Sequence, residues 1–176
     1  MLKGRISLIV ACLAICLGFH SCIYEKPDRT DLMTGDIIPD FTVMMNDSTQ
    51  LSGEMLRTAP SCVVFFHTTC PDCQQVLPLI QKLYEKYAPS GVVFALISRE
   101  QENVEVSAYW QEKSFTMPYS AQPTREVYNL FAQTRVPRVY ICEKGGVIRN
   151  IHTDDPVPTF DVLDVQVSSV CGSGKE

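Results

Sequence analysis

Cys70-Pro71-Asp72-Cys73 sets two thiols at the spacing that redox chemistry uses. The tetrapeptide stands at a junction. Ser61-Cys62-Val63-Val64-Phe65-Phe66-His67 precedes it as a short apolar run rich in β-formers. Gln74 to Tyr87 follows, with apolar residues at helical spacing. A Cys-x-x-Cys at a strand-to-helix turn puts its first sulfur at a helix N-terminus. Unpaired N–H groups and the positive end of the helix dipole favour a thiolate there. The thiolate is the form that attacks a disulfide, so spacing and context point to thiol–disulfide exchange. A structural disulfide or half of a zinc site are the competing readings. A zinc site lacks support, because there is no second Cys-x-x-Cys and His67 and His152 are not at finger spacing.

The elements around the pair can be read from pattern. Pro71 suits an early helical position, and Pro78 falls mid-helix and should kink it. Pro89-Ser90-Gly91 ends that helix, and Val92 to Ile97 reads as a fully buried strand. Asn103 to Ser114 looks helical with Asn103 as N-cap, and Thr124 to Ala132 reads as a second short helix. Arg138 to Cys142 and Val147 to Ile151 flank Lys144-Gly145-Gly146, which predicts a hairpin. Phe160, Leu163 and Val165 suggest a last short helix. Ahead of the redox motif, alternating Phe41, Val43 and Met45, a polar turn and Leu51 predict a small hairpin. A β-α-β unit, then helices and a hairpin, gives an α/β sandwich with a mixed sheet.

The 176 residues suffice for one domain and an N-terminal segment. The net charge of −5 contains Lys3 and Arg5 from the first 21 residues, so the rest carries 13 − 20 = −7. That balance argues against a nucleic-acid surface. Of the eight cysteines, Cys12 and Cys16 lie in the apolar N-terminal run, Cys62 and Cys142 in strand-like runs, and Cys171 in a Gly/Ser tail. Cys62 and Cys142 read as buried small hydrophobes, with a disulfide between neighbouring strands as the lesser alternative. Cys171 reads as a leftover thiol. Tyr109-Trp110 is expected in core packing, and Glu100-Gln101-Glu102 as a solvated face.

Met1 to Arg5 is basic, and Ile6 to Phe19 is apolar apart from Ser7, about the length of a signal h-region. His20-Ser21-Cys22 follows, and the whole resembles a bacterial lipoprotein signal in which Cys22 is lipidated. Phe19 and His20 depart from the usual residues of that signal, and an ordinary cleaved signal or an uncleaved anchor are the alternatives. The expected organisation is a signal peptide over 1–21, a tether over 22–34, the folded domain over 35–170 and a flexible tail over 171–176. That places the protein in the cell envelope, lipid-anchored to a membrane and facing the periplasm.

From Gly35 to Asp155 the chain resembles the thioredoxin superfamily, and within it the membrane-tethered TlpA/ResA-like oxidoreductases. The redox tetrapeptide after a strand, Pro78, and Val136-Pro137 followed by a strand and Gly145 carry the resemblance. It implies a thioredoxin-like three-layer sandwich with a central mixed β-sheet and an N-terminal β-hairpin. It implies that Cys70 attacks and forms the mixed disulfide, that Cys73 resolves it, and that Pro137 is cis and faces the pair. Val136 would then lend backbone hydrogen bonds to an extended substrate segment. Pro71, Asp72 and His67 would tune the pair. No cofactor or metal is implied.

Some positions depart from the family pattern. Thr69 stands where many members carry Trp, Val64 and Val76 stand where a buried acid is common, and Arg138 replaces a small polar residue. Asp72 sets a negative charge near both sulfurs, which leans the pair towards a reductase. Protein disulfides or thiols are the expected clients, with a membrane thiol reductant as electron donor. The rivals are a Sco-type copper chaperone, a thioredoxin-like peroxidase and a non-catalytic binding module. The Sco family usually spaces its cysteines by three residues, and only His152 lies downstream. A peroxidase would need Thr and Pro where His67 and Val63 stand.

Overall fold

The computed structural model of the chain describes residues 31–172. Five strands make the central sheet in the order β5-β4-β3-β6-β7. They are β3 (Ser61–Phe66), β4 (Val93–Ser98), β5 (Tyr119–Ser120), β6 (Arg138–Cys142) and β7 (Ile148–His152). β3 runs parallel to β4 and antiparallel to β6, with Val63 opposite Ala95 on one side and Tyr140 on the other. β3 is the central strand and every one of its residues is buried. A strand covered on both faces needs no polar side, which is why Cys62 to Phe66 reads as an unbroken apolar run.

Helix α2 (Pro71–Tyr87) connects β3 to β4 and α3 (Asn103–Lys113) connects β4 to β5. Two successive right-handed crossovers in one direction place both helices on one face of the sheet. There Phe66 meets Trp110 of α3 at 5.0 Å between ring centroids. Gln81 of α2 accepts from the Thr116 and Met117 N–H groups, and the Trp110 indole donates to Met117 O at 2.8 Å, tying the two helices together. The last helix, α5 (Phe160–Gly172), joins α2 through a Lys86–Asp164 ion pair at 2.7 Å. Phe65 points to the opposite face, because side chains alternate along a strand. It packs on Tyr128, Phe131 and Tyr140. Phe41 closes on Phe131 at 5.6 Å. Layers on both faces of a mixed sheet make the expected sandwich.

The expected N-terminal hairpin is present as β1 (Thr42–Met44) and β2 (Gln50–Ser52), antiparallel with Val43 opposite Leu51. A short helix, α1 (Gly53–Arg57), follows it with the Ser52 hydroxyl capping the Met55 N–H. Sequence pattern does not predict α1, since five residues are too short to show a period.

Several boundaries move. The cap of α3 is Glu102, not Asn103: its side chain and that of Glu105 cap each other's backbone N–H groups. The helix expected over Thr124 to Ala132 shrinks to α4 (Glu126–Asn129), and the chain tightens afterwards, with Phe131 N–H donating to Tyr128 O. α5 runs on to Gly172, so Cys171 is half-buried in a helix rather than set in a loose tail. At the other end, Asp31 and Leu32, assigned to the tether, pack on the domain, Leu32 being buried and donating its N–H to Phe131 O at 2.8 Å. Cys62 and Cys142 are free and buried, and burial pushes both thiols up, that of Cys142 to about 12. Cys62 lies opposite Ile141 and Cys142 opposite Ser61, so the two cysteines point to opposite faces of the sheet. Tyr109 and Trp110 are core residues. The signal segment, Cys22 and most of the tether lie outside the described residues. Among the described residues no helix is long and apolar enough to cross a membrane.

Candidate active site

The redox pair sits where β3 feeds α2. Cys70 is the N-cap of α2, with extended backbone (φ −77°, ψ 121°), and Pro71 opens the helix. Proline is accepted there because its absent N–H would have no intrahelical partner. The helix continues through Pro78. Cys70 is half-buried, and Cys73, three residues on, has no exposed surface. Both are free thiols.

The two sulfurs have different surroundings. Cys70 Sγ lies 3.4 Å from Val136 O, and the Val136-Pro137 peptide is cis. The loop expected to face the pair therefore does so, and Val136 main chain lines the approach to the more accessible sulfur. Cys73 Sγ accepts from the His67 N–H at 3.5 Å. Burial pushes the Cys73 thiol far up; the His67 N–H counters it, while Cys70 and Asp72 add to it. Val64 and Val76 are fully buried beneath the site, so those two positions supply no acid to take the Cys73 proton.

His67 reaches the pair through its backbone. Its Nδ1 accepts from the Thr69 N–H at 3.3 Å and lies 3.0 Å from Thr69 Oγ1. An Nδ1 that accepts leaves the ring proton on Nε2. Burial and then the Arg99 charge hold the imidazole below its ordinary range, so it is neutral near pH 7. Asp72 is partly exposed and accepts from Gln75 Nε2 at 3.3 Å. His152, at the end of β7, lies 2.6 Å from Gln166 Oε1 of α5, on an edge strand two places from β3.

Supporting residues that sequence reasoning did not assign come from three directions. Gln101, expected on a solvated face, is 1% exposed. It takes the Thr68 N–H on Oε1 at 2.8 Å and donates from Nε2 to Thr68 Oγ1 at 2.6 Å. Tyr128 OH donates to the carbonyls of Thr134 and Arg135, just ahead of the cis peptide. Arg138, only 7% exposed, donates to Thr134 O at 3.0 Å and to Asp31 Oδ2 at 2.6 Å. Asp31 Oδ1 also accepts the Gln133 N–H at 2.8 Å. None of these residues shows a motif. Gln101, Asp31 and Arg138 are identified by long-range partners that the fold brings to them, and Tyr128 by carbonyls of the loop that follows it.

Comparison with known proteins agrees with this geometry. The profile of the AhpC/TSA family matches residues 34–151. The chain is 26% identical over 151 residues to a protein named thiol-disulfide oxidoreductase ResA from Oceanobacillus iheyensis, covering 82% of this chain and 78% of that one. It is also 26% identical over 133 residues to the thioredoxin-like protein YneN of Bacillus subtilis, covering 73% and 76%. Among solved structures, a thiol:disulfide interchange protein of the thioredoxin family from Chlorobium tepidum superposes with a TM-score of 0.68 at 20% identity, covering 81% of this chain and 99% of that one. That likeness shows the fold.

Proposed function

The chain belongs to the AhpC/TSA family, and we propose that it is a thiol–disulfide oxidoreductase that works on protein clients outside the cytoplasm, anchored by lipid at Cys22. The observation that carries this reading is the asymmetry of the pair: a partly buried Cys70 whose sulfur lies 3.4 Å from Val136 O, and a fully buried Cys73 a turn away. The relatives named ResA support it.

The chemistry follows from that asymmetry. Cys70, as thiolate, attacks one sulfur of a client disulfide. A Cys70–client bond forms, the client S–S bond breaks, and the other client sulfur leaves as a thiolate and takes a proton. The client segment lies along Val136, whose main chain holds it as an added short strand. Cys73 then loses its proton and attacks Cys70 Sγ. The Cys70–Cys73 disulfide forms and the second client sulfur is released. Two electrons and two protons have passed from the pair to the client. The negative charge of Asp72 disfavours the Cys73 thiolate and supports a reductase role. Turnover in that direction needs a thiol reductant, which we assign to the membrane because no soluble thiol buffer maintains the compartment.

Cys70→Ser should abolish reduction of a model protein disulfide, and Cys73→Ser should accumulate a long-lived mixed disulfide through Cys70. Full turnover by Cys70→Ser would reject the reading. The same Cys73→Ser trap, identified by mass spectrometry, names client and electron donor together. Anchoring is tested apart from this: fatty-acid labelling should mark the wild type and not Cys22→Ala. Equal labelling of the two, or none, rejects the lipid anchor.

A further inference from the structure

The step that the site handles least obviously is the second one, in which a sulfur with no exposed surface must give up its proton. Burial opposes this, and Val64 and Val76 offer no carboxylate to assist. The contact that favours the charged sulfur is the His67 N–H at 3.5 Å. At that length it is an ordinary N–H···S hydrogen bond, and it lasts only while the strand end is held in place.

That position is set through Thr68, the next residue. Thr68 is 6% exposed and is gripped on three of its polar atoms. Its N–H donates to Gln101 Oε1 at 2.8 Å, and its Oγ1 accepts from Gln101 Nε2 at 2.6 Å. Its carbonyl accepts from Gln74 Nε2 of α2 at 2.8 Å. The loop then turns so that the Cys70 N–H meets His67 O at 3.1 Å. Gln101 is itself fixed, since its N–H donates to Gln122 O at 2.9 Å. A primary amide fits this place because it accepts at one atom and donates at the other, and both demands come from one neighbour.

We propose that Gln101 is a positioning residue for the resolving step: by clamping Thr68 it holds the His67 N–H against the Cys73 sulfur. This rests on the oxidoreductase reading above. Gln101 touches neither sulfur in this geometry and acts only through the loop. Its loss should slow the attack of Cys73 on Cys70 Sγ and leave the first attack by Cys70 on its target little changed.

The two steps can be timed separately in the full chain with an aromatic disulfide that releases a coloured thiolate. Attack by Cys70 releases the first equivalent and leaves a mixed disulfide. Attack by Cys73 on Cys70 Sγ then forms the Cys70–Cys73 disulfide and releases the second equivalent. In Gln101→Leu the second phase should slow about tenfold, and its pH profile should move up by about one unit, because one pH unit is tenfold in thiolate. The first phase should stay within about twofold of wild type, the margin set against that tenfold effect. Thr68→Val keeps the Thr68 N–H bond to Gln101 and loses only the hydroxyl contact, so it should give a smaller slowing and serves if Gln101→Leu does not fold. Thr68→Ser keeps both bonds and should restore wild-type behaviour. An unchanged second phase in folded Gln101→Leu overturns the proposal, and so does an equal loss in both phases, which marks a merely structural role. Absence of a second release from the wild type rejects the oxidoreductase reading itself.

Discussion

The ion pair between Asp31 and Arg138 joins a residue ahead of the expected domain to the first residue of β6, just after the loop that faces Cys70, and its strength can be measured. Arg138 Nη2 and Asp31 Oδ2 are 2.6 Å apart, with side chains 9% and 34% exposed. The charges are about 4 Å apart centre to centre, worth roughly 4 kcal/mol at an effective dielectric of 20 before desolvation is counted. Exposed pairs are worth about 0–1 kcal/mol, and breaking a fully buried pair costs about 3–5 kcal/mol. Half-shielded geometry with a good hydrogen bond falls between, and we expect a coupling of about 1.5 kcal/mol. The cycle uses Asp31→Asn, Arg138→Met and the double variant. Asparagine keeps an oxygen for the Gln133 N–H, and methionine keeps an unbranched stem while removing the guanidinium. The loss of the Arg138 bonds to Thr134 O occurs in both variants that carry methionine and cancels. Denaturant unfolding supplies the four stabilities, and 1 M salt should shrink the coupling only in part, because the pair is half-shielded. A coupling below about 0.3 kcal/mol, within the additivity error of such cycles, refutes the argument. The functional counterpart is a raised KM of Asp31→Asn for a protein disulfide with the intramolecular resolving rate unchanged.

Gly53→Ala should destabilise the fold by about 2–4 kcal/mol, since a Cβ there would stand 2.2 Å from the Pro39 carbonyl oxygen, a backbone atom with little room to move. A denaturation midpoint equal to wild type would disprove that contact. Asp164 is held below the ordinary value of 3.8 chiefly by the Lys86 ammonium. A depressed carboxyl contributes stability that is present above pH 3.8 and is lost as pH falls through its lower folded value, so Asp164→Asn should flatten part of the acid slope below pH 4 in urea midpoints taken from pH 5 to pH 2. An identical slope in both proteins counts against it. Asp72→His should make the pair more oxidising by about 30 mV for each tenfold change in the exchange constant, read by glutathione titration. An unchanged or more reducing potential shows that Asp72 does not set the poise.

The redox pair, the strand before it, the helix after it and the loop opposite it are local features, each carried by a few consecutive residues. Cys70-Pro71-Asp72-Cys73 states its spacing outright, Pro71 and the apolar period state the helix, and the run of buried residues in β3 states a central strand. Chain order restricts the topology further, because parallel strands demand crossovers of one hand. The resemblance supplied the orientation of Val136-Pro137, which periodicity alone does not contain. Short elements such as α1 and β5 fell below the length at which a period can be seen.

Gln101 and Asp31 show the remainder. Sequence placed Gln101 among exposed charges and Asp31 in a tether, because polar residues next to acids are usually solvated. Their roles come from partners far along the chain: Thr68 is 33 residues from Gln101, and Arg138 is 107 residues from Asp31. A polar side chain is buried only when folding delivers hydrogen-bond partners to it, and that delivery is a property of the packed strands and helices together. The sequence alone therefore set two thiols at the spacing of a redox pair. Tertiary structure decided which sulfur is reachable, which is buried, and which distant side chains hold the loop between them.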